Sequence, residues 1–415
     1  MNEAQRTNGG ATGDGKRSYV RRVKIRNYKS IGKSEIQLCS VSILIGRNGS
    51  GKSNFLDALR FVVDGLQTSL DHAIKSRGGL DAVRRRSTGH PRNFAVELEL
   101  ELPFFSVATY GFEIAARGEG KFVVRQERLK VLSLDKQTSA SYETQDGQII
   151  HASRESMPPT ADDRLYLVTA AGLPEFRPAY DALVSMGFYN LNPEVMKELQ
   201  SPDAGELLHR DGGNVASVIA RLRTDRPEIM ARIQRYLETI VPGITEVRHV
   251  ALGPRETLEF RQKVVGSKYP WRFYAASMSD GTLRSLGALL AVTQLADRRV
   301  PVSLVGIEEP ETALHPAAAG TLMDALREAA ARTQVVVTTH STDLLDQVDP
   351  DTDGLLAVVS RQGNTRIAPV DAASVQAIRE HLYTPGELLR MDQLGPDEQE
   401  LQRQEQMTLF EIHED

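Results

Sequence analysis

The segment Gly46-Arg47-Asn48-Gly49-Ser50-Gly51-Lys52-Ser53 fits the spacing G-x-x-x-x-G-K-[ST], and its residue types suit the cradling of a polyphosphate. Glycines let successive backbone N–H groups curl around phosphate oxygens, and a helix beginning at the loop adds the positive end of its dipole. Lys52 would reach the outer phosphates, and the Ser53 hydroxyl would hold Mg²⁺. The flanks agree with this chemistry. Val41-Ser42-Ile43-Leu44-Ile45 reads as a buried strand, and Phe55, Leu59, Val62, Val63 and Leu66 recur at helical spacing. Strand, glycine loop and helix together imply that the chain binds a nucleoside triphosphate, with ATP and Mg²⁺ as the expected pair.

A second set of candidates lies far along the chain. An apolar run over residues 302–307 ends in Glu308-Glu309-Pro310-Glu311, followed by Thr312-Ala313-Leu314-His315-Pro316. Carboxylates at the end of a buried strand beside a phosphate loop suit a metal and an attacking water. Glu308 is the candidate metal support, and Glu309 the candidate general base. A further run, 334–339, ends in His340-Ser341, where the imidazole could bond a terminal phosphate or hold the water. Between the two halves Ser279-Asp280-Gly281-Thr282 opens a helix carrying Leu283, Leu286, Leu289 and Leu290, a start able to receive an anion.

The elements that must position these groups read as α/β. Val20, Val23 and Ile25 precede the loop strand. Phe94 to Leu102 alternates apolar residues with glutamates, which predicts an antiparallel strand with one wet face. Tyr110, Phe112 and Ile114, then Lys121 to Val131, continue as strands, and 132–165 is expected to be loop. Residues 166–242 read as a compact helical insertion, its apolar stripes too short for a long coiled coil. Strands return from Ile244, and a terminal hairpin is expected to turn at Gln362-Gly363-Asn364. The expected division is a disordered tail over 1–18, a first half of the nucleotide-binding head over 19–135, the loop and insertion over 136–245, a second half over 246–375 and an acidic segment over 376–415.

Bulk properties bound the reading. The chain has 415 residues, 40% of them apolar and 25% charged, as in soluble globular proteins. It has no apolar run that would span a membrane and no secretory signal, so no membrane partner is expected. The lone cysteine, Cys39, suggests a reducing, cytoplasmic setting and is expected to be an inert core thiol. Net charge is −5, yet basic residues cluster at Arg21-Arg22 and at Arg84-Arg85-Arg86, the candidate contacts to double-stranded DNA.

The motifs together resemble the RecF/SMC-like branch of the ABC-type ATPases, including the overcoming-lysogenisation-defect type without its TOPRIM nuclease domain. Val23-Lys24-Ile25-Arg26-Asn27-Tyr28-Lys29-Ser30-Ile31 resembles the family's first strand, GRNGSGKSN from Gly46 to Asn54 its Walker A motif and SDGT its signature. GIEEPETALHP resembles its Walker B motif and the loop after it, and TTHS its histidine switch. Glu308 stands where an aspartate is more usual, and no glutamine is assigned to the family's Q-loop. The resemblance implies an ABC-type P-loop ATPase head with an antiparallel β subdomain and the compact helical insertion. It implies catalytic roles for Lys52, Glu309 and His340. It also implies a homodimer sandwiching ATP, with Ser279, Asp280, Gly281 and Thr282 acting on the partner's nucleotide. The implied biology is antiphage defence, with the ATPase as sensor of a separately encoded effector such as a nuclease. A DNA-repair ATPase and the ATP-binding component of a transporter are the alternatives.

Overall fold

The computed structural model describes residues 18–86, 91–103, 106–118, 120–133, 139–295 and 302–409. The expected disordered tail therefore lies, apart from Ser18, outside the described residues.

Sixteen strands are described. The first eight are β1 (Tyr19–Tyr28), β2 (Ile31–Gln37), β3 (Val41–Ile45), β4 (Asn93–Leu102), β5 (Ser106–Ala116), β6 (Phe122–Leu132), β7 (Ser139–Gln145) and β8 (Gln148–Ala152). The rest are β9 (Gly187–Tyr189), β10 (Ile244–Leu252), β11 (Arg255–Gln262), β12 (Trp271–Tyr274), β13 (Leu304–Glu308), β14 (Gln334–Thr339), β15 (Gly354–Arg361) and β16 (Asn364–Pro369). Among the described residues thirteen form one sheet, in the order β8-β7-β6-β5-β4-β1-β2-β16-β15-β3-β14-β13-β9. A separate small sheet has the order β10-β11-β12.

The large sheet has two characters. β15, β3, β14, β13 and β9 run parallel, whereas β2, β1 and β4 to β8 pair antiparallel. The parallel strands are apolar on both faces because both faces are covered. Leu44, Leu304, Val336 and Leu356 point into one core, while Ile43, Ile45, Val305, Val335 and Leu355 point into the other. The helix Lys52–Gln67 packs on the first side, and the helices Pro227–Ile240, Asp280–Leu295 and Ala319–Ala330 build the second.

On the antiparallel arm the glutamate face is less wet than its alternation suggests. Glu97 is buried between Lys24 at 3.2 Å and Arg128 at 2.8 Å, and Glu113 pairs with Arg26. Cross-strand ion pairs tile this face. The arm is tied to the helical insertion by Glu127, which is fully buried. It accepts hydrogen bonds from the hydroxyls of Tyr110 (3.2 Å) and Tyr142 (2.9 Å) and from the backbone N–H groups of Tyr166 and Leu167.

Three expectations are corrected. Residues 132–165 are not all loop: β7 and β8 form a hairpin that extends the sheet, with Tyr142 its anchor in the core. Within the region read as helical, β9 adds an edge strand beside β13. Cys39 is exposed, not buried, because it sits in the turn between β2 and β3, where its N–H donates to Ser42 Oγ at 2.9 Å. The hairpin expected around Gln362-Gly363-Asn364 is present as β15–β16. The acidic segment folds back on the sheet: the helix Glu398–Glu405 lies against β2 and β16, with Gln404 Nε2 donating to the carbonyls of Glu35 and Ile367.

Candidate functional site

The site forms where β3, β14 and β13 end side by side. β3 delivers the glycine loop, and Gly51, at φ 107°, turns it into the helix that begins at Lys52. A β-carbon at Gly51 would lie 2.1 Å from Thr365 Oγ1, so both conformation and space require glycine there. Thr365 Oγ1 also donates to the Ser50 carbonyl at 2.8 Å and meets Ser30 Oγ at 2.7 Å, and Asn54 Nδ2 donates to Ser30 Oγ at 2.6 Å. The hairpin β15–β16 and the end of β1 thus brace the loop from behind.

Lys52 folds over its own loop. Its Nζ donates to the carbonyls of Gly46 at 2.8 Å and Arg47 at 3.3 Å. Burial lowers the lysine pKa, while the nearby carboxylates of Glu309 and Glu311 oppose that shift. The loop cation and the strand-end carboxylates are thus close enough to interact. Ser50 Oγ is buried with no partner among the described residues. A buried orphan hydroxyl, a cradle of loop amides and a desolvated ammonium fit a bound polyphosphate.

β13 and β14 supply the other wall. Glu309 has φ 43°, an uncommon conformation for a non-glycine residue, and its N–H donates to the Thr338 carbonyl at 2.9 Å. That bend aims its carboxylate at the end of β14, where Oε1 lies 3.0 Å from His340 Nδ1. Glu308 instead pairs with Arg210 at 3.2 Å.

Two residues to which the sequence reading gave no role belong to this wall. Glu311 is buried, and Thr339 Oγ1 donates to it while its Oε2 has no partner among the described residues. Burial pushes its carboxyl above the ordinary glutamate value, and the charge of Glu309 adds to that. Arg210 comes from the helical insertion and had no sequence signal, since its partner lies 98 positions away. Glu311 was visible within Glu-Glu-Pro-Glu, but only burial distinguishes it.

The signature segment forms a capped helix start. Ser279 Oγ accepts from the Thr282 N–H at 3.2 Å, and Asp280 pairs with Lys197 at 2.6 Å. Ser279 and Asp280 are exposed, whereas Gly281 and Thr282 are buried.

The basic candidates are spread out and engaged. Arg21 pairs with Glu99 at 3.7 Å and Arg22 with Glu35 at 3.0 Å. Arg84 pairs with Asp81 at 2.6 Å, and Arg86 Nε donates to the Asp81 carbonyl. Arg85 donates its backbone N–H to Asn27, and its half-buried side chain has no partner at Nε among the described residues. Arg84 bridges Tyr28 at one end of β1, and Arg22 lies near the other, roughly 20 Å away.

No helix among the described residues is long and apolar enough to cross a membrane. Nor do the described residues contain a cluster of three or more His, Cys, Asp or Glu side chains that could hold a metal ion.

Among solved structures the chain is similar to an Smc head bound to the C-winged helix domain of ScpA, at 17% identity, TM-score 0.50, with 86% of this chain and 99% of that one covered. It is also similar to the Smc head domain from Pyrococcus furiosus with an extended coiled coil, bound to the C-terminal domain of ScpA, at 14% identity, TM-score 0.51, with 88% and 99% covered. No curated protein matches the sequence. A family model, described as AAA domain, putative AbiEii toxin, Type IV TA system, matches residues 41–346. The chain belongs to that family, and its head has the ABC-type P-loop fold of the RecF/SMC-like ATPases.

Proposed function

We propose that the chain hydrolyses ATP in a homodimer whose heads close around two nucleotides, and that closure controls engagement of DNA or of a partner protein. The observation that carries the reading is the Glu309–His340 pair standing beside buried Lys52 at the ends of three adjacent parallel strands.

The proposed step is an in-line displacement. The Glu309 carboxylate takes a proton from water as its oxygen bonds to the γ-phosphorus, and the bond to the β–γ bridging oxygen breaks, leaving ADP and phosphate. His340 Nδ1–H fixes the Glu309 carboxylate in the orientation that proton abstraction needs. Lys52 exchanges its carbonyl partners for the outer phosphate oxygens and neutralises their charge. Ser53 and Glu308 would hold Mg²⁺, with Glu308 leaving Arg210 to do so. The metal supplies Lewis-acid polarisation of the phosphate oxygens. Ser279 to Thr282 receive the γ-phosphate held by the other protomer's loop.

For the biological setting we favour antiphage defence, with the head as sensor of a separately encoded effector such as a nuclease. The family description names a toxin–antitoxin system, and similar heads carry a protein partner on their surface, which supports this choice over a repair clamp. Hydrolysis by purified wild-type and Lys52→Ala protein tests the enzymatic core. Wild-type turnover with Mg²⁺ and its loss in the variant is the expected result. Equal activity in both would remove the loop from the mechanism.

A further inference from the structure

The small sheet carries a surface to which the sequence reading drew no attention. The turn between β11 and β12, with β12 itself, spans residues 263–274 and reads Lys-Val-Val-Gly-Ser-Lys-Tyr-Pro-Trp-Arg-Phe-Tyr. β12 is an edge strand. Along it and its turn, Tyr269 is 69% exposed, Trp271 54% and Tyr274 46%, although side chains of this kind are ordinarily mostly buried. Trp271 and Phe273 stand 6.3 Å apart on one face of the strand, tilted at 39°. The Trp271 indole N–H donates to Ser267 Oγ, whose hydroxyl in turn donates to the Tyr269 carbonyl, so the turn holds the indole in place.

Charge completes the pattern. The segment has Lys263, Lys268 and Arg272 and no carboxylate. Among the described residues none of the three forms an ion pair, and Lys268 lies 5.5 Å from the Tyr269 ring centroid. Arg272 stands directly opposite Arg261, and the carboxylates of Glu246 and Glu259 are both taken by Arg261. Arg272 is thus left without a carboxylate partner among the described residues. Protein interfaces deplete lysine at their cores, and duplex DNA hides its base faces. Planar rings interleaved with unpaired cations match an unpaired polynucleotide strand, whose bases stack while its phosphates meet the cations.

We infer that the β11–β12 hairpin binds single-stranded nucleic acid that crosses the open edge of β12, stacking one base on Trp271 on one face and another on Tyr274 on the opposite face, and placing phosphates against Lys263, Lys268 and Arg272. This deepens the nucleic-acid arm of the proposed function and assigns it to a different surface from the arginine clusters near the P-loop. The hairpin also leads through the turn Ala275–Ser277 directly into the signature helix start at Ser279, so a strand held there lies next to the segment proposed to sense nucleotide.

Trp271 is the only tryptophan of the chain, so intrinsic tryptophan fluorescence reports this surface alone. Titrating the full-length protein with oligothymidylate at low salt should quench that emission. Tyr274→Ala should weaken the quench-derived affinity roughly 5- to 150-fold, the range for losing one stacked base. Trp271→Ala, followed by anisotropy of a labelled oligothymidylate, should weaken binding similarly. Lys268→Ala with Arg272→Ala should flatten the salt slope by about 1.4 units. ATP hydrolysis without oligonucleotide should stay at the wild-type rate in all these variants, and that basal rate tests the ATPase reading separately. Several results would overturn the assignment: no quenching at low salt, affinity for duplex or heparin equal to that for oligothymidylate, or a response only to anionic phospholipid vesicles. Affinity unchanged in Trp271→Ala and Tyr274→Ala would do the same.

Discussion

The carbonyl oxygen of Ala313 occupies the space that a β-carbon on Gly281 would need, 2.1 Å from its ideal position. Ala313, at φ 65°, belongs to the turn that leaves Glu309, so the signature helix start rests on the backbone that follows the proposed base. Gly281→Ala should therefore disturb both at once. Overpacking of this kind costs about 1–3 kcal/mol, and hydrolysis should fall by more than that loss of folded protein explains. Binding of a fluorescent ATP analogue to the P-loop should stay within threefold or so of wild type, a ratio worth about 0.7 kcal/mol. Wild-type turnover in Gly281→Ala, with folding verified, would show that this contact does not matter.

Because Gly281 packs internally, action across a dimer is better probed at Ser279. Ser279→Asp keeps a side chain able to cap the helix and adds a negative charge on an exposed position. If Ser279 faces the partner's γ-phosphate, that charge should block hydrolysis while the monomer stays folded. Mixing Ser279→Asp with Lys52→Ala protein should then restore part of the activity, since one composite site of a mixed dimer is intact. Heterodimers that form yet remain inactive would count against the sandwich.

Glu309→Gln should slow turnover roughly 10²- to 10⁴-fold, the range for loss of a general base, and leave nucleotide binding intact. ATP would persist, so size-exclusion chromatography with ATP and Mg²⁺ should show a heavier species than without nucleotide. His340→Ala removes the 3.0 Å contact to Glu309 and should slow the same step without abolishing binding. If Glu308→Gln gives the trapped species and Glu309→Gln does not, the two roles are exchanged.

What the sequence revealed follows from how locally each feature is encoded. The P-loop, its strand and its helix are contiguous, so residue types from Val41 to Leu66 suffice to recognise them. Strands β13 and β14 stand out because both faces are apolar and the chemistry sits at their ends. The hairpin β7–β8 was hidden because only Tyr142 buries a large side chain, and Ser139-Ala-Ser on one strand resembles loop. β9 has three residues and pairs only through β13, which no local pattern announces. Arg210 and Thr365 reach the site from distant segments. Their roles depend on packing and not on neighbours in sequence.

Glu127 gives a stability prediction with a defined sign. Burial raises its carboxyl to about 7, against four hydrogen bonds that favour the charged form. A carboxyl raised on folding contributes stability that is full below its unfolded value of 4.5 and is lost as the pH rises through about 7. Asp57 behaves oppositely: burial would raise it, but Arg77 and Lys29 outweigh that and hold it at about 2. Its contribution is present above 3.8 and lost only in acid, so it does not interfere between pH 5 and 8. Glu127→Gln removes the titration and leaves one of the Tyr166 and Leu167 N–H groups facing an amide donor, at a cost of about 1–3 kcal/mol. Urea unfolding of both proteins at pH 5 and pH 8 should show the variant's deficit shrinking at the higher pH, by on the order of 3 kcal/mol. A deficit that grows with pH would mean that the four donors hold Glu127 charged, and that the sheet-to-helix junction is built around a carboxylate.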